Sequence, residues 1–233
     1  MLRSAYVTLL RIVAAPLRLV GILPWLERAP RNSFRFWIGS QFAIYDAAGL
    51  ARMDTPWWSF PAIDEVERWI ANRNGDVSAF EYGSGASTVW LARRCRHVVS
   101  VEHDVEFART IASMLKRDNI ALRLIEPERN VTSPQAASGR SGYEHCDFSA
   151  YVDSIADGEG YDLIVIDGRA RNACLARAPS RLKAGGLIVF DNSNRRRYQA
   201  ALSNVVLRLT RYRGWTPALP YRSETALIEF RQE

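Results

Sequence analysis

The stretch Ala79-Phe80-Glu81-Tyr82-Gly83-Ser84-Gly85-Ala86-Ser87-Thr88 decides the fold. Its first four residues are apolar or aromatic around a single acid, which reads as a buried strand, and two glycines then mark a sharp turn. A helix is expected to begin near Ser87. Gly83 and Gly85 let the backbone approach a ligand that any side chain would obstruct. Strand, glycine turn and helix together open a βαβ unit of the nucleoside-binding kind.

The surroundings of that turn narrow the ligand. A second apolar run, His97–Glu102, ends in an acid nineteen positions after Gly83. At that spacing a carboxylate accepts hydrogen bonds from both hydroxyls of an adenosine ribose. Thr88 stands where a dinucleotide fingerprint carries its third glycine, which argues against a pyrophosphate cradle. Glu81, just before the turn, would repel a phosphate and attract an ammonium group directly or through water. S-adenosylmethionine has that ammonium and no phosphate.

Further out, short apolar runs at Ser78–Tyr82, His97–Glu102, Ala121–Ile125, Tyr161–Asp167, Leu187–Phe190 and Thr225–Phe230 alternate with helical patterns. Alternation of this kind predicts an α/β, Rossmann-like, doubly wound and mostly parallel sheet with helices on both faces. Residues 1–75 read as an N-terminal helical extension and lid, and residues 76–233 as the S-adenosylmethionine-binding domain. A chain of 233 residues that is 48% hydrophobic has ample material for one core.

The motifs Glu81-Tyr82-Gly83-Ser84-Gly85-Ala86-Ser87-Thr88 and Val99-Ser100-Val101-Glu102-His103-Asp104 resemble the first and second motifs of class I S-adenosylmethionine-dependent methyltransferases. The resemblance runs from about Trp57 to the C-terminus and includes Lys183-Ala184-Gly185-Gly186 before the fifth strand. It implies a seven-stranded-type sheet ending in an antiparallel strand, for which Thr225–Phe230 is the candidate. It also implies a cofactor held by Glu81, Gly83, Ser84, Gly85, Ser87, Thr88, Glu102 and His103.

Asp167 ends the fourth apolar run, and Asp191-Asn192 follow the fifth. Adjacent parallel strands would bring these three side chains to one rim as the catalytic group. Two carboxylates and an amide suit a hard cation such as Mg²⁺. The layout is similar to the catechol-type, metal-dependent O-methyltransferases, whose metal ligands match Asp167, Asp191 and Asn192. Such a metal would orient an acceptor hydroxyl and lower its pKa. Aspartate also ends this strand in methyltransferases that use no metal, so both readings stand.

Those catechol-type enzymes carry a lysine three residues after the first aspartate, whereas this chain reads Asp167-Gly168-Arg169-Ala170-Arg171. Arginine is too strong a base to give up its proton. Arg169 and Arg171 are expected to clamp a carboxylate, phosphate or sugar-acid acceptor, with a solvated loop as the alternative. Arg195-Arg196-Arg197 add cations beside them. Asp167, Tyr143 and His145 are the unranked candidates for the base. The tryptophan- and proline-rich segment Asp54–Pro61, with Trp57 and Trp58, is expected to cover the cofactor or acceptor as a lid, with core packing of the N-terminal helices as the alternative, and Trp58 is the substrate-binding candidate within it. The polar loop from Glu126 to Cys146 is expected to be mobile and acceptor-specific.

These readings converge on O-methylation of a small or glycan-like hydroxylated acceptor. A nicotinamide-dependent oxidoreductase is disfavoured by Glu81 and Thr88, while a non-catalytic, membrane-associated scaffold that binds the cofactor stays open. The formal charge of +6 is carried almost wholly by scattered arginine, with Lys116 and Lys183 the only lysines, which argues against a nucleic-acid face. Cys95, Cys146 and Cys174 are odd in number and form no metal-spaced pair, as befits free thiols in a reducing cytoplasm. The apolar segment Leu2–Trp25 is interrupted by Arg3, Arg11 and Arg18 and is expected to break at Pro16. It suits a helix packed on its own domain or on a second subunit, or lying peripherally on a membrane, not a span.

Overall fold

The computed structural model describes residues 2–229. Five helices come first: α1 (Leu2–Leu19), α2 (Ile22–Glu27), α3 (Phe34–Gln41), α4 (Ala47–Arg52) and α5 (Phe60–Ala71). The main sheet follows as β1 (Ser78–Tyr82), β2 (His97–Glu102), β3 (Ile120–Leu124), β4 (Tyr161–Ile166), β5 (Leu182–Asp191), β6 (Arg208–Trp215) and β7 (Arg222–Glu229). Helices α6 (Ala86–Ala92), α7 (Val105–Met114), α8 (Ser149–Asp153), α9 (Arg171–Arg177) and α10 (Arg196–Ser203) lie between strands. A small antiparallel ribbon pairs Glu128–Arg129 with Cys146–Asp147 inside the loop after β3.

The spatial order of the sheet is β3-β2-β1-β4-β5-β7-β6. The first five strands are parallel, and β7 inserts antiparallel between β5 and β6. This is the expected Rossmann-like, mostly parallel sheet. The chain order reverses between β1 and β4, and a ligand crevice forms beyond the carboxyl ends at such a reversal.

Side chains alternate across the two faces because the strand period is two. Phe80, Tyr82, Ile164, Ile166, Ile188 and Phe190 join one core with Phe148, Tyr151, Cys174 and Tyr198. Ala79, Leu163, Val165, Leu187 and Val189 join the other with Trp58, Ile63, Val66, Trp90 and Leu91. The central strands are thus apolar on both faces, as a doubly covered parallel sheet requires. Residues before Asp76 supply part of this core: α5 lies on the second face, Trp37 Nε1 donates to Leu219 O at 3.1 Å, and Ala218 N donates to Ser40 Oγ at 3.0 Å.

Several boundaries differ from expectation. Strand β3 begins one residue earlier than anticipated, and β5 begins at Leu182, running through Gly185-Gly186. Strand β7 spans Arg222–Glu229, and Phe230, its expected end, lies outside the described residues. Strand β6 was not foreseen. Helix α1 continues through Pro16 to Leu19; a proline so close to the helix end removes one bond, and Val20 N still donates to Pro16 O at 3.1 Å.

Tyr6, Val7 and Leu10 of α1 pack against a third cluster around Ile44, Leu50 and Val89. Leu9, Ile12, Leu19 and Val20 face outward and are exposed. No helix among the described residues is long and apolar enough to cross a membrane.

Candidate active site

Register brings the site together. Tyr82 pairs with Ile166, Ile166 with Phe190, and Tyr82 with Val101. One row further along the sheet lie Gly83, Asp167, Asp191 and Glu102. A cleft of about 900 Å³ opens over this row.

The glycine turn is packed hard against the loop after β4. Gly83 has φ 93°, and a Cβ there would fall 2.4 Å from Gly168 Cα and 2.6 Å from Gly168 N. Two backbones touch at this point, so glycine is needed by the fold itself. Gly85 differs: its φ is 178° and the nearest atom to an added Cβ is Ser87 Oγ at 3.7 Å. Gly85 leaves open space facing the cleft.

Glu102 is 3% exposed yet lines the cleft. Its Oε1 accepts from His103 N at 2.7 Å and Asp104 N at 2.9 Å, and its Oε2 from Ser84 N at 3.2 Å. Three backbone donors fix the carboxylate while lone pairs remain for a ligand. His103 Nδ1 lies 2.6 Å from Glu102 Oε1, and its Nε2 lies 3.2 Å from the Tyr143 hydroxyl. Of the expected cofactor residues, Gly83, Ser84, Gly85, Ser87, Glu102 and His103 line the cleft.

Glu81 and Thr88 do not; both are fully buried behind the turn. Glu81 Oε2 accepts from Thr88 Oγ1 at 2.5 Å and Ser100 Oγ at 2.6 Å, and Thr88 Oγ1 in turn accepts from Gly85 N at 2.9 Å. This network braces the turn from below. Burial pushes the Glu81 carboxyl up to about 7, against the hydroxyls of Ser100, Ser87 and Thr88.

Arg171 changes the reading of the other strand ends. Expected to face an acceptor, it is buried, with Nη2 2.6 Å from Asp167 Oδ1 and 2.5 Å from Asp167 O. Its Nη1 donates to Asp191 O at 2.5 Å and lies 4.0 Å from Asp191 Oδ2, while Nε donates to Gly168 O at 3.1 Å. The guanidinium rivets the ends of β4 and β5, and although Arg171 still lines the cleft, most of its N–H groups are spent on these internal partners.

The same arrangement corrects the metal expectation. Asp167 already holds a cation, Asp191 Oδ1 accepts from Thr225 Oγ1 at 2.8 Å, and Asn192 turns its amide nitrogen toward Ser223 Oγ at 3.4 Å. Thr225 stands opposite Asp191 in the β5–β7 register. A fixed positive charge between the two carboxylates does not fit Mg²⁺. Burial and the neighbouring Asp167 push Asp191 up to about 7, with Arg171 opposing. Burial likewise raises Asp167, against Arg171, Arg195 and the Trp58 indole.

Trp58 does not line the cleft; it is fully buried and packs edge-on against Trp90 at 5.7 Å, as the core-packing alternative expected. Its neighbour Trp57 lines the cleft instead, stacked edge-on with Tyr45 at 5.6 Å. His145 is exposed and away from the cleft. The loop after β3 contributes Ser138, Arg140 and Tyr143, and it is pinned rather than loose: Asp147 accepts from Gln135 N, from Ala136 N at 3.3 Å and from Ser149 N at 2.7 Å. Arg140 was not singled out from sequence, since a loop arginine carries no periodic signal, whereas Trp57 lay within the expected lid segment Asp54–Pro61.

No family model matches the sequence, and no curated protein matches it. Solved structures do. The O-methyltransferase from Bacillus cereus, in complex with SAH, has a TM-score of 0.54 and 17% identity, covering 78% of this chain and 90% of that one. The O-methyltransferase TomG from Streptomyces achromogenes, involved in tomaymycin synthesis and in complex with SAM, has a TM-score of 0.53 and 18% identity, covering 82% of this chain and 90% of that one. With the strand order, this likeness establishes the class I methyltransferase fold.

Proposed function

We propose that this chain is an S-adenosylmethionine-dependent methyltransferase acting on an oxygen of a small or glycan-like hydroxylated acceptor. The observation that carries the reading is Glu102, a carboxylate fixed by three backbone N–H groups at the end of β2, facing a cleft lined by the Gly83–Gly85 turn. That placement suits two ribose hydroxyls. The SAH and SAM complexes of the two fold relatives support the cofactor, and their description as O-methyltransferases supports the acceptor atom.

When bound, the cofactor supplies a methyl carbon on a sulfonium, whose C–S bond breaks as the acceptor oxygen's lone pair forms the new C–O bond. The chain's own task is alignment, exclusion of water and removal of one proton. Asp167 is the carboxylate placed for that proton, since its side chain is 21% exposed on the cleft where Asp191 is sealed at 3%. Arg171 holds it in position.

Calorimetric titration with S-adenosylmethionine tests the reading. Wild-type protein is expected to bind, and Glu102→Ala to lose at least about tenfold in affinity through two lost charge-assisted hydrogen bonds. Absence of binding to folded wild-type protein overturns it.

A further inference from the structure

Four arginines from three connections meet at the mouth of the cleft: Arg140 after β3, Arg169 after β4, and Arg195 and Arg197 at the start of α10 after β5. Among the described residues none of them has a carboxylate at ion-pair distance, unlike Arg171 below them, which is bound to Asp167. The Arg169 guanidinium lies 5.2 Å from the Tyr143 ring centroid, and its Nε is buried without a hydrogen-bond partner. Arg197 donates to Gly139 O at 2.8 Å and sits 4.9 Å from the Tyr198 ring centroid. At the start of α10, Arg195 makes no side-chain cap and the first turn has no acid.

These cations feel one another. The Arg140 guanidinium holds its proton less tightly than usual, first because of Arg169, then through burial, with Arg195 and Arg197 adding to it. Convergence of like charges with no carboxylate at ion-pair distance is costly, and a bound anion removes the cost. A carboxylate presents one edge, which a single arginine fork satisfies. A phosphoryl group carries a charge of about −1.5 to −2 and three acceptor oxygens, enough for guanidinium groups arriving from several loops. Arg169 is two residues past Asp167, and Arg195 stabilises the charge on Asp167, so the anion would sit beside the transfer centre.

We propose that the acceptor carries a phosphoryl group, held jointly by Arg140, Arg169, Arg195 and Arg197. The word acceptor rests on the methyltransferase reading; the anion site does not. Chemically, the substrate is a hydroxylated phosphate ester, methylated on a hydroxyl near the phosphoryl end.

The test is calorimetric titration of the full chain with inorganic pyrophosphate, with malonate at matched ionic strength as the carboxylate comparator. Pyrophosphate is expected to bind saturably and malonate at least about tenfold more weakly. Arg169→Gln combined with Arg195→Gln is expected to lose pyrophosphate binding while keeping its circular dichroism spectrum and its titration with SAH. Equal binding of both anions, or binding that survives in the double variant, overturns the proposal. If SAH fails to bind wild-type protein while pyrophosphate binding behaves as stated, the cofactor reading falls and the anion site stands. Glycerol phosphate in solution and phosphatidic acid in phosphatidylcholine vesicles, compared in the same assay, separate a free ester from a lipid headgroup. Binding of either supports the site, and binding of neither overturns it.

Discussion

The floor and the mouth of the cleft are built on opposite principles. The floor, with the layer behind it, is acidic and buried: Glu102 and Asp191 line the cleft, Glu81 lies behind the glycine turn, all are at most 3% exposed, and each stands in or at the end of a strand. The mouth is basic and lies on loops and the first turn of α10, with Arg140, Arg195 and Arg197 exposed. Floor groups are held mostly inside the protein, by backbone N–H groups, hydroxyls and Arg171, although Glu81 Oε1 is buried without a partner. Mouth groups keep donors in reserve. A group already satisfied is there for architecture or pre-organisation, whereas a cluster of unsatisfied charges points to a ligand.

The floor's most sensitive point is Arg171. Arg171→Met keeps much of the side-chain volume and leaves Asp167 and Asp191 facing each other without a counter-charge. Breaking a buried pair in this way costs about 3–5 kcal/mol. Urea unfolding should show that loss, and adding Asp191→Asn should recover part of it, since one of the two opposed charges is gone. A near-neutral Arg171→Met would show that the rivet between β4 and β5 is unimportant. Millimolar Mg²⁺ should leave the wild-type melting temperature unchanged, because the guanidinium occupies the cation's place.

The glycine turn sharpens the contrast within the floor. Gly83→Ala forces a Cβ into Gly168 from a positive-φ backbone. About 1–2 kcal/mol for the left-handed conformation and about 1–3 kcal/mol for the displaced backbone predict a large fall in the unfolding midpoint. Gly85→Ala meets nothing closer than 3.7 Å and has an extended φ. Its unfolding midpoint should stay near wild type while S-adenosylmethionine binding weakens. The reverse pattern would mean that Gly85, not Gly83, carries the fold.

Floor and mouth also differ in how far sequence reveals them. Strands β1 and β2 were readable to the residue because apolar side chains run almost unbroken up to Tyr82 and Glu102. Strand-end groups follow from such strands, since parallel register carries them to one row. Strand β6 was hidden: its sequence, Arg-Leu-Thr-Arg-Tyr-Arg-Gly-Trp, is an edge strand with charges throughout and no continuous apolar run. Gly185-Gly186 concealed the start of β5 because paired glycines usually signal a turn. Arg171 was visible as a charge but not as a direction, although its i,i+4 spacing from Asp167 at the start of α9 offered the clue to an internal pair. At the mouth, Arg140 stands 29 positions before Arg169 on a different loop, and only the folded path of the chain unites them.

The smallest expected effect is a dependence of stability on pH that belongs to the floor alone. Glu81 and Asp191 are both pushed up to about 7, chiefly by burial, whereas carboxyls in the unfolded chain titrate near 4. Between about pH 4 and about pH 7 the native protein therefore retains protons that the unfolded chain has released. Stability must fall as pH rises through that window and level off above it. Glu81→Gln and Asp191→Asn each remove one such group, so each should flatten the decline in urea midpoint between about pH 5 and about pH 8. The arginines at the mouth remain charged throughout this range, and replacing Arg195 should leave the slope as it is. A slope that vanished with Arg195 instead would mean that mouth and floor titrate as one electrostatic unit through Asp167, and the separation between them would be lost.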